Sequence, residues 1–543
     1  MSKYALGIDF GTLSGRALLA DISTGQEAAS AVYEYPHAVI DQELGNIRLG
    51  RDFALQDPHD YLEVLQNAVP EVIRKSGIDP GDIIGVGIDF TSSTVLPVKA
   101  DGTPLCFIDG YNGDPHAYAK LWKHHAAKAQ AERLEKALAE CYPDRLGRYG
   151  GKISSEWFFP KIMQTLDEAP HIYAAADRFI EAGDWIVWQL TGIESHCVCA
   201  AGFKALWDSI EGYPPNSFWA SLDPALGDII GTKVSTDVVP LGAKVGGICP
   251  RMAELTGLKE GTPVASAYID AHASLPACRI TDSGQMLLII GTSTGHIIVS
   301  DAEDRVPGIC GVVDGGVIPG KFAYEAGQSA VGDIFDWFVK NCVPASYHSE
   351  AAERGIGIHK LLREMARRQS VGESGLLALD WWNGNRSILQ DSSLSGMILG
   401  LTLSTRPEEI YRALLEATAF GTRRIIENFE DNGVAISKLC AAGGIAAKDD
   451  FMMQIYADVV KRPICIAAST QSGALGSAIA GAVAAGAYPD FSSAAQKMGG
   501  LGEVCYNPIP GNSEAYDKLY AEYKRLHDYF GAENDVMKRL REY

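Results

Sequence analysis

The sequence predicts an α/β protein of two domains built on one repeated plan. Three observations carry this: strand-like and helix-like stretches alternate, the chain opens on a hairpin with a Gly-Thr turn, and a hairpin of the same design returns near its middle. Tyr4 to Asp21 reads as strand, Gly11-Thr12 turn and strand, with Ser23-Thr24-Gly25 as the next turn. Gln285 to Ser300 repeats that order as Met286-Leu287-Leu288-Ile289-Ile290, then Gly291-Thr292-Ser293, then Ile297-Ile298-Val299. The repeat places a boundary near Ala277 to Gly284, giving an N-terminal domain over 1–280 and a C-terminal domain over 281–543.

Between the hairpins, Pro58 to Lys75 carries Leu62, Leu65, Val69, Val72 and Ile73 at helical spacing. Ile83 to Phe90 is a near-continuous apolar run, as in a strand covered on both faces. One long helical run is expected from Pro115 to Cys141, within a less regular elaboration from about Cys106 to Pro250. The second half closes with a helix at Pro407 to Asn428, a strand at Leu439 to Ala442, a Gly443-Gly444 turn and a helix through Val460. An Ala-rich buried helix over 473–485 and a charged terminal helix from Ser513 to Tyr543 follow.

A chain of 543 residues is too long for one core, and 47% hydrophobic with 21% charged residues suits a protein folded throughout. With 68 acidic against 47 basic residues, the net charge of -21 repels nucleic-acid phosphates and anionic membranes, so neither is an expected partner. The 11 cysteines, spread from Cys106 to Cys505 without a repeated spacing, read as reduced core thiols of a cytoplasmic protein. His196-Cys197-Val198-Cys199 lacks the paired spacing of a structural zinc site and reads as ordinary strand or loop. No signal peptide is visible, and the apolar stretch from Gly473 to Tyr488 is shorter than the roughly 20 residues of a membrane span.

A Gly-Thr turn between strands can approach a phosphate closely, since glycine has no side chain in the way and successive amides point at the anion. Two such turns, one per domain, form a clamp for a nucleotide triphosphate: Gly11, Thr12 and Arg16 in the first hairpin, Gly291, Thr292 and Ser293 in the second. Asp9, at its strand end, is then placed to hold Mg²⁺ through water. Neither a Walker A sequence nor a protein-kinase glycine loop occurs, which leaves the hairpin clamp as the solution for ATP.

Gly396-Met397-Ile398-Leu399-Gly400-Leu401, then seven residues, then Glu409-Ile410-Tyr411-Arg412-Ala413-Leu414-Leu415-Glu416 resembles the C-terminal signature of the FGGY carbohydrate kinases, which include glycerol kinase, xylulokinase, gluconokinase and ribulokinase. Phe159-Pro160-Lys161-Ile162 meets the N-terminal signature in part, with Gln164 where the family usually has Trp. The resemblance covers nearly the whole chain and implies two ribonuclease-H-like, actin-like ATPase domains with ATP in the cleft between them. Tyr268-Ile269-Asp270-Ala271-His272-Ala273 looks like the family's catalytic segment, which makes Asp270 the base and His272 a structural neighbour. Ala441-Ala442-Gly443-Gly444 resembles the adenosine motif, assigning Gly443 and Gly444 to ATP, and Gly473-Ala474-Leu475-Gly476 the hinge helix.

Within the family, Asp89-Phe90-Thr91-Ser92-Ser93-Thr94 departs from the Arg-Glu pair with which glycerol kinases hold their triol, and the stretches around Asp57, Trp122 and Glu325 are similar to the ribulokinase branch. That likeness places sugar contacts at Lys204 and Glu325, with Ser92, Ser93 and Trp122 as further candidates. It implies transfer from MgATP to the terminal hydroxyl of L-ribulose, a small-molecule partner. Another pentulose or pentitol is the nearest rival, and an actin-like ATPase or sugar sensor without phosphotransfer is the rival of another class. The oligomeric state is left open, a homodimer being one option.

Overall fold

In the computed structural model, which describes residues 2–541, the opening hairpin is β1 (Tyr4–Phe10) and β2 (Ser14–Asp21), with Asp9 opposite Arg16. β3 (Glu27–Glu34) adds antiparallel to β2. The chain then crosses over through helix α1 (Pro58–Ser76), capped by the Asp57 side chain, and returns as β4 (Ile83–Phe90), parallel to β1. β5 (Lys244–Gly247), β6 (Pro263–Ala265) and β7 (Tyr268–Ile269) complete the first sheet, β6 and β7 parallel to β4 and β5 antiparallel to β6. Apolar residues cover both faces of β1 and β4, as parallel pairing beneath crossover helices requires.

The elaboration between these strands has its own core, in which Trp157, Phe158, Phe159 and Trp219 meet. The expected helix from Pro115 to Cys141 is present only in its second part, α2 (Lys128–Cys141). Pro115–Ala117 is instead a single tight turn and Ala119–Lys120 a short strand against Leu55–Gln56. That extended segment places the buried Lys120 Nζ on the Lys161 carbonyl, Gln164 Oε1 and Thr165 Oγ1, so an apolar-looking stretch hides a charge that demands partners. Three further helices of this half matter below: α3 (Phe158–Glu168), α4 (Val198–Lys204) and α5 (Asp270–Ala277).

The second hairpin, β8 (Gln285–Ile290) and β9 (Thr294–Ser300), seeds the second sheet. β10 (Gly311–Asp314) and β11 (Phe322–Gln328) lie beyond β9; β12 (Lys438–Ala442), β13 (Ile464–Ala467) and β14 (Leu501–Tyr506) lie beyond β8. Helices α6 (Pro407–Asp431) and α7 (Asp450–Val460) are the crossovers into β12 and β13. In both sheets the shared frame is a hairpin, a third strand antiparallel to its second member, and two strands running parallel to its first. The order β3-β2-β1-β4-β6 is repeated by β11-β9-β8-β12-β13.

Helix α8 (Ser472–Ala484) follows β13 in the chain but packs on the first sheet. Glycines make this approach possible: a Cβ on Gly7 of β1 would lie 1.8 Å from the Ala474 carbonyl oxygen, and one on Gly87 of β4 1.8 Å from that of Ser477. The second half is thereby fastened across the junction to the first.

Two further expectations need correction. Cys465 and Cys505 are joined in a disulfide, because they face each other in register on the antiparallel strands β13 and β14, with Cα atoms 4.0 Å apart. The terminal helix α9 (Pro510–Asp528) passes into a wider turn at Tyr529–Glu533 around Gly531 and resumes only over Val536–Arg539, and residues 542–543 of that expected helix lie outside the described residues. No helix among the described residues is long and apolar enough to cross a membrane.

Candidate active site

Three acidic residues stand at the C-terminal ends of adjacent strands of the first sheet. Asp9 on β1 pairs in register with Asp89 on β4, and Asp89 pairs with Tyr268 of β7, whose next residue but one is Asp270 at the start of α5. Gly473, in the first turn of α8, faces the carboxyl groups of Asp9 and Asp89 and the backbone of Asp270. A Cβ there would lie 3.5 Å from Asp89 Oδ1 and 3.6 Å from both Asp9 Oδ2 and the Asp270 carbonyl oxygen. The missing side chain leaves a polar cradle.

The cradle is short of positive charge. Asp9 has one cation nearby, Arg16 Nε at 3.3 Å. Asp89 Oδ2 accepts from Ser477 Oγ at 2.6 Å, while its Oδ1 receives no donated hydrogen bond. Burial raises the Asp9 carboxyl, with Arg16 opposing; burial and then Asp9 push Asp89 well above the carboxylate range. Of the pair, Asp89 is the member pushed further toward its protonated form. Asp270 is pushed up to about 7 by burial and then by Asp9. A partly buried acidic cluster around a cradle that a Cβ at Gly473 would fill fits a divalent cation. Among the described residues no three His, Cys, Asp or Glu side chains converge closely enough to ligate a metal directly, so it fits one that keeps its water shell.

Each Gly-Thr turn is closed by its glycine amide, Gly11 N–H donating to Ser14 O and Gly291 N–H to Ser293 O in a turn one residue shorter, each at 2.9 Å. The first is braced from outside: Trp122 Nε1 donates to Thr12 Oγ1 at 3.1 Å and Gln56 Nε2 to Thr12 O at 2.8 Å. The second is braced by amides of the segment after β11, Val331 N–H donating to Thr292 O and Gly332 N–H to Gly291 O. Gly443, with φ +100°, lies so close to β8 that a Cβ would come within 2.4 Å of Ile290 O, while Gly444 beside it meets nothing. The adenosine-like loop thus adjoins the second turn. Trp122, expected at the sugar, is held against the first turn.

Lys204, at the end of α4, donates to both carboxylate oxygens of Glu325 on β11, at 2.7 and 3.0 Å. Lys204 is buried and Glu325 partly so, and the pair joins the two halves. Burial favours neutral Glu325, but Lys204 and His272 together hold it well below the usual carboxylate range. Ser93, buried with φ +55°, offers its carbonyl to Lys161 Nζ at 2.5 Å, and the same ammonium donates to Leu121 O at 2.9 Å. Lys161 of α3 therefore ties the loop of Ser92 and Ser93 to the turn of Trp122.

Asp89 is a site residue that residue-by-residue reading passes over. Its signal is present in the chain, since Gly87-Ile88-Asp89-Phe90 repeats Gly7-Ile8-Asp9-Phe10 letter for letter.

Two sheets of one strand order, an acidic cradle on the first and a Gly-Thr turn on each, fit a mixed α/β kinase with the actin-like ATPase fold. The chain belongs to the FGGY family of carbohydrate kinases: the profile of the family's N-terminal domain matches residues 4–276 and that of its C-terminal domain residues 286–485. Among curated relatives, a ribulokinase of Halalkalibacterium halodurans is 52% identical over 99% of this chain and 97% of its own length. One of Bacillus licheniformis is 53% identical over 97% of each, and one of Mycolicibacterium smegmatis 49% identical over 99% and 96%. Solved structures share the fold at low identity. A ligand-bound xylulose kinase of Lactobacillus acidophilus has a TM-score of 0.81 at 19% identity, covering 98% of this chain and 99% of that one. A xylulose kinase of Rhodospirillum rubrum has a TM-score of 0.78 at 23%, covering 97% and 99%.

Proposed function

We propose that this carbohydrate kinase is a ribulokinase, transferring the γ-phosphate of ATP to the terminal hydroxyl of L-ribulose in the cytoplasm, where ATP is supplied. The observation that carries the reading is Asp270, a half-buried carboxyl raised to about 7 in a chain half identical, end to end, to curated ribulokinases.

Asp270 accepts the proton of the attacking hydroxyl, and Lys204 and Glu325 hold the sugar's other hydroxyls, the first as donor and the second as acceptor. The turns at Gly11, Thr12 and Gly291 to Ser293, with Arg16, receive the phosphates, and Gly443 and Gly444 pass beneath the base. Ser92 and Ser93 complete the pocket wall, and Trp122 braces the first phosphate turn beside it. Asp9, through water and with Asp89 beside it, would hold Mg²⁺, whose contribution is to neutralise charge on the phosphates. Closure of the halves around the Lys204–Glu325 contact excludes water, which would otherwise accept the phosphoryl group in place of the sugar.

The test is relative kcat/KM for L-ribulose, D-ribulose, xylulose and ribitol, with the product identified as the 5-phosphate. L-Ribulose is expected to lead. A clear preference for xylulose would overturn the assignment.

A further inference from the structure

His272 lies two residues beyond Asp270 on α5, so the two side chains leave the helix on nearly opposite sides. Asp270 faces the cradle. The His272 imidazole turns instead to Glu325, with Nε2 at 3.5 Å from Oε2, while its other nitrogen, Nδ1, lies 3.1 Å from Cys199 Sγ on α4. The ring is buried, and Phe203 packs against it with centroids 4.5 Å apart, which fixes its plane.

We propose that His272, held by Cys199, is a positioning residue that fixes the Glu325 carboxylate for sugar binding. Cys199 and Lys204 belong to the same helix and reach Glu325 by two routes, one through the imidazole and one through the ammonium. An ammonium alone is a point charge about which a carboxylate can pivot; a second cationic group on another side limits that freedom. Glu325 is the one member of this chain contributed by the second half, so the brace also sets how that half meets α4 and α5. The charges agree with the geometry. Burial disfavours charge on His272, yet Cys199 and Glu325 raise it to about 9; burial pushes the Cys199 thiol up, yet Cys197 and His272 bring it down to about 5. The groups facing the imidazole are thus Cys199, with Cys197 behind it, and the Glu325–Lys204 pair, with Asp270 on its own helix.

The inference rests on the reading of Glu325 as a sugar contact, so Glu325→Gln is measured alongside. Steady-state KM for L-ribulose and for ATP is compared in the wild type, His272→Phe, Cys199→Ala and Cys199→Ser. His272→Phe and Cys199→Ala are expected to raise the sugar KM about tenfold with the ATP KM within about twofold, and Cys199→Ser, which keeps a hydrogen-bonding oxygen, to restore most of the loss. An unchanged sugar KM in His272→Phe and Cys199→Ala, with a raised one in Glu325→Gln, overturns the brace and leaves the sugar contact standing. An unchanged sugar KM in Glu325→Gln overturns the contact and the brace with it. Equal rises in both KM values, or Ser no better than Ala at position 199, reduce the role to packing and also overturn it. Should His272→Phe not fold, the Cys199 pair decides alone.

Discussion

Asp9 and Asp89 stand side by side at the ends of two parallel strands, and directly behind them the rings of Phe10 and Phe90 stack 5.1 Å apart. The same tetrapeptide, used twice, builds an acidic pair on an aromatic floor. Burial and then Asp9 hold Asp89 high, and Asp9 likewise adds to the burial that holds Asp270 high.

Activity should depend on pH through Asp270. A general base acts only when ionised, and Asp270 is raised to about 7, so function is lost as pH falls through that value and retained above it. kcat/KM for the sugar, measured at saturating ATP, should fall about tenfold for each unit below this pKa. A profile flat down to about pH 5 would contradict the assignment.

Lys161→Met should loosen the sugar pocket while keeping side-chain length. Its ammonium holds Ser93 O and Leu121 O, and removal leaves both buried carbonyls short of a donor. The sugar KM should rise about tenfold or more, with a smaller change for ATP, in steady-state assays.

Gly87→Ala should break the seat of α8. Its Cβ would meet the Ser477 carbonyl oxygen at 1.8 Å, a backbone atom that cannot swing aside. A loss of about 3 kcal/mol or more in chemical denaturation is expected. Gly113→Ala, whose Cβ meets nothing within 4 Å, is the control and should stay within about 0.5 kcal/mol of the wild type.

Glu416→Ala should unfold the second half readily. Glu416 Oε1 accepts from Arg412 Nε at 2.7 Å and from Tyr516 OH at 2.9 Å, and Arg412 and Glu416 are both buried. Stranding the guanidinium should cost about 3–5 kcal/mol in urea denaturation. The folded fraction should keep its kcat, because this pair joins α6 to α9 and touches no part of the cradle.

This last pair explains what could be read in advance. The C-terminal signature identifies the family, yet in this chain Arg412 and Glu416 within it are a structural joint. The two hairpins and their crossovers were legible because apolar runs bounded by Gly-Thr turns are local patterns. The seat of α8 on the first sheet was not, since a helix placed after β13 in the chain carries no mark of a strand hundreds of residues earlier. Lys120 and the Cys465–Cys505 bond were hidden for the same reason: each depends on which strand lies opposite. Lys204 and Glu325 were reached through family resemblance, and their meeting across the two halves is visible only in three dimensions.

The central claim, that Asp270 takes the proton of a sugar hydroxyl, is tested most directly by quantifying ribulose phosphate formed from L-ribulose and ATP by the wild type and by Asp270→Asn. The expected result is a loss of about a thousandfold in turnover with ATP affinity within a few-fold. Near-normal phosphosugar formation by Asp270→Asn would contradict it.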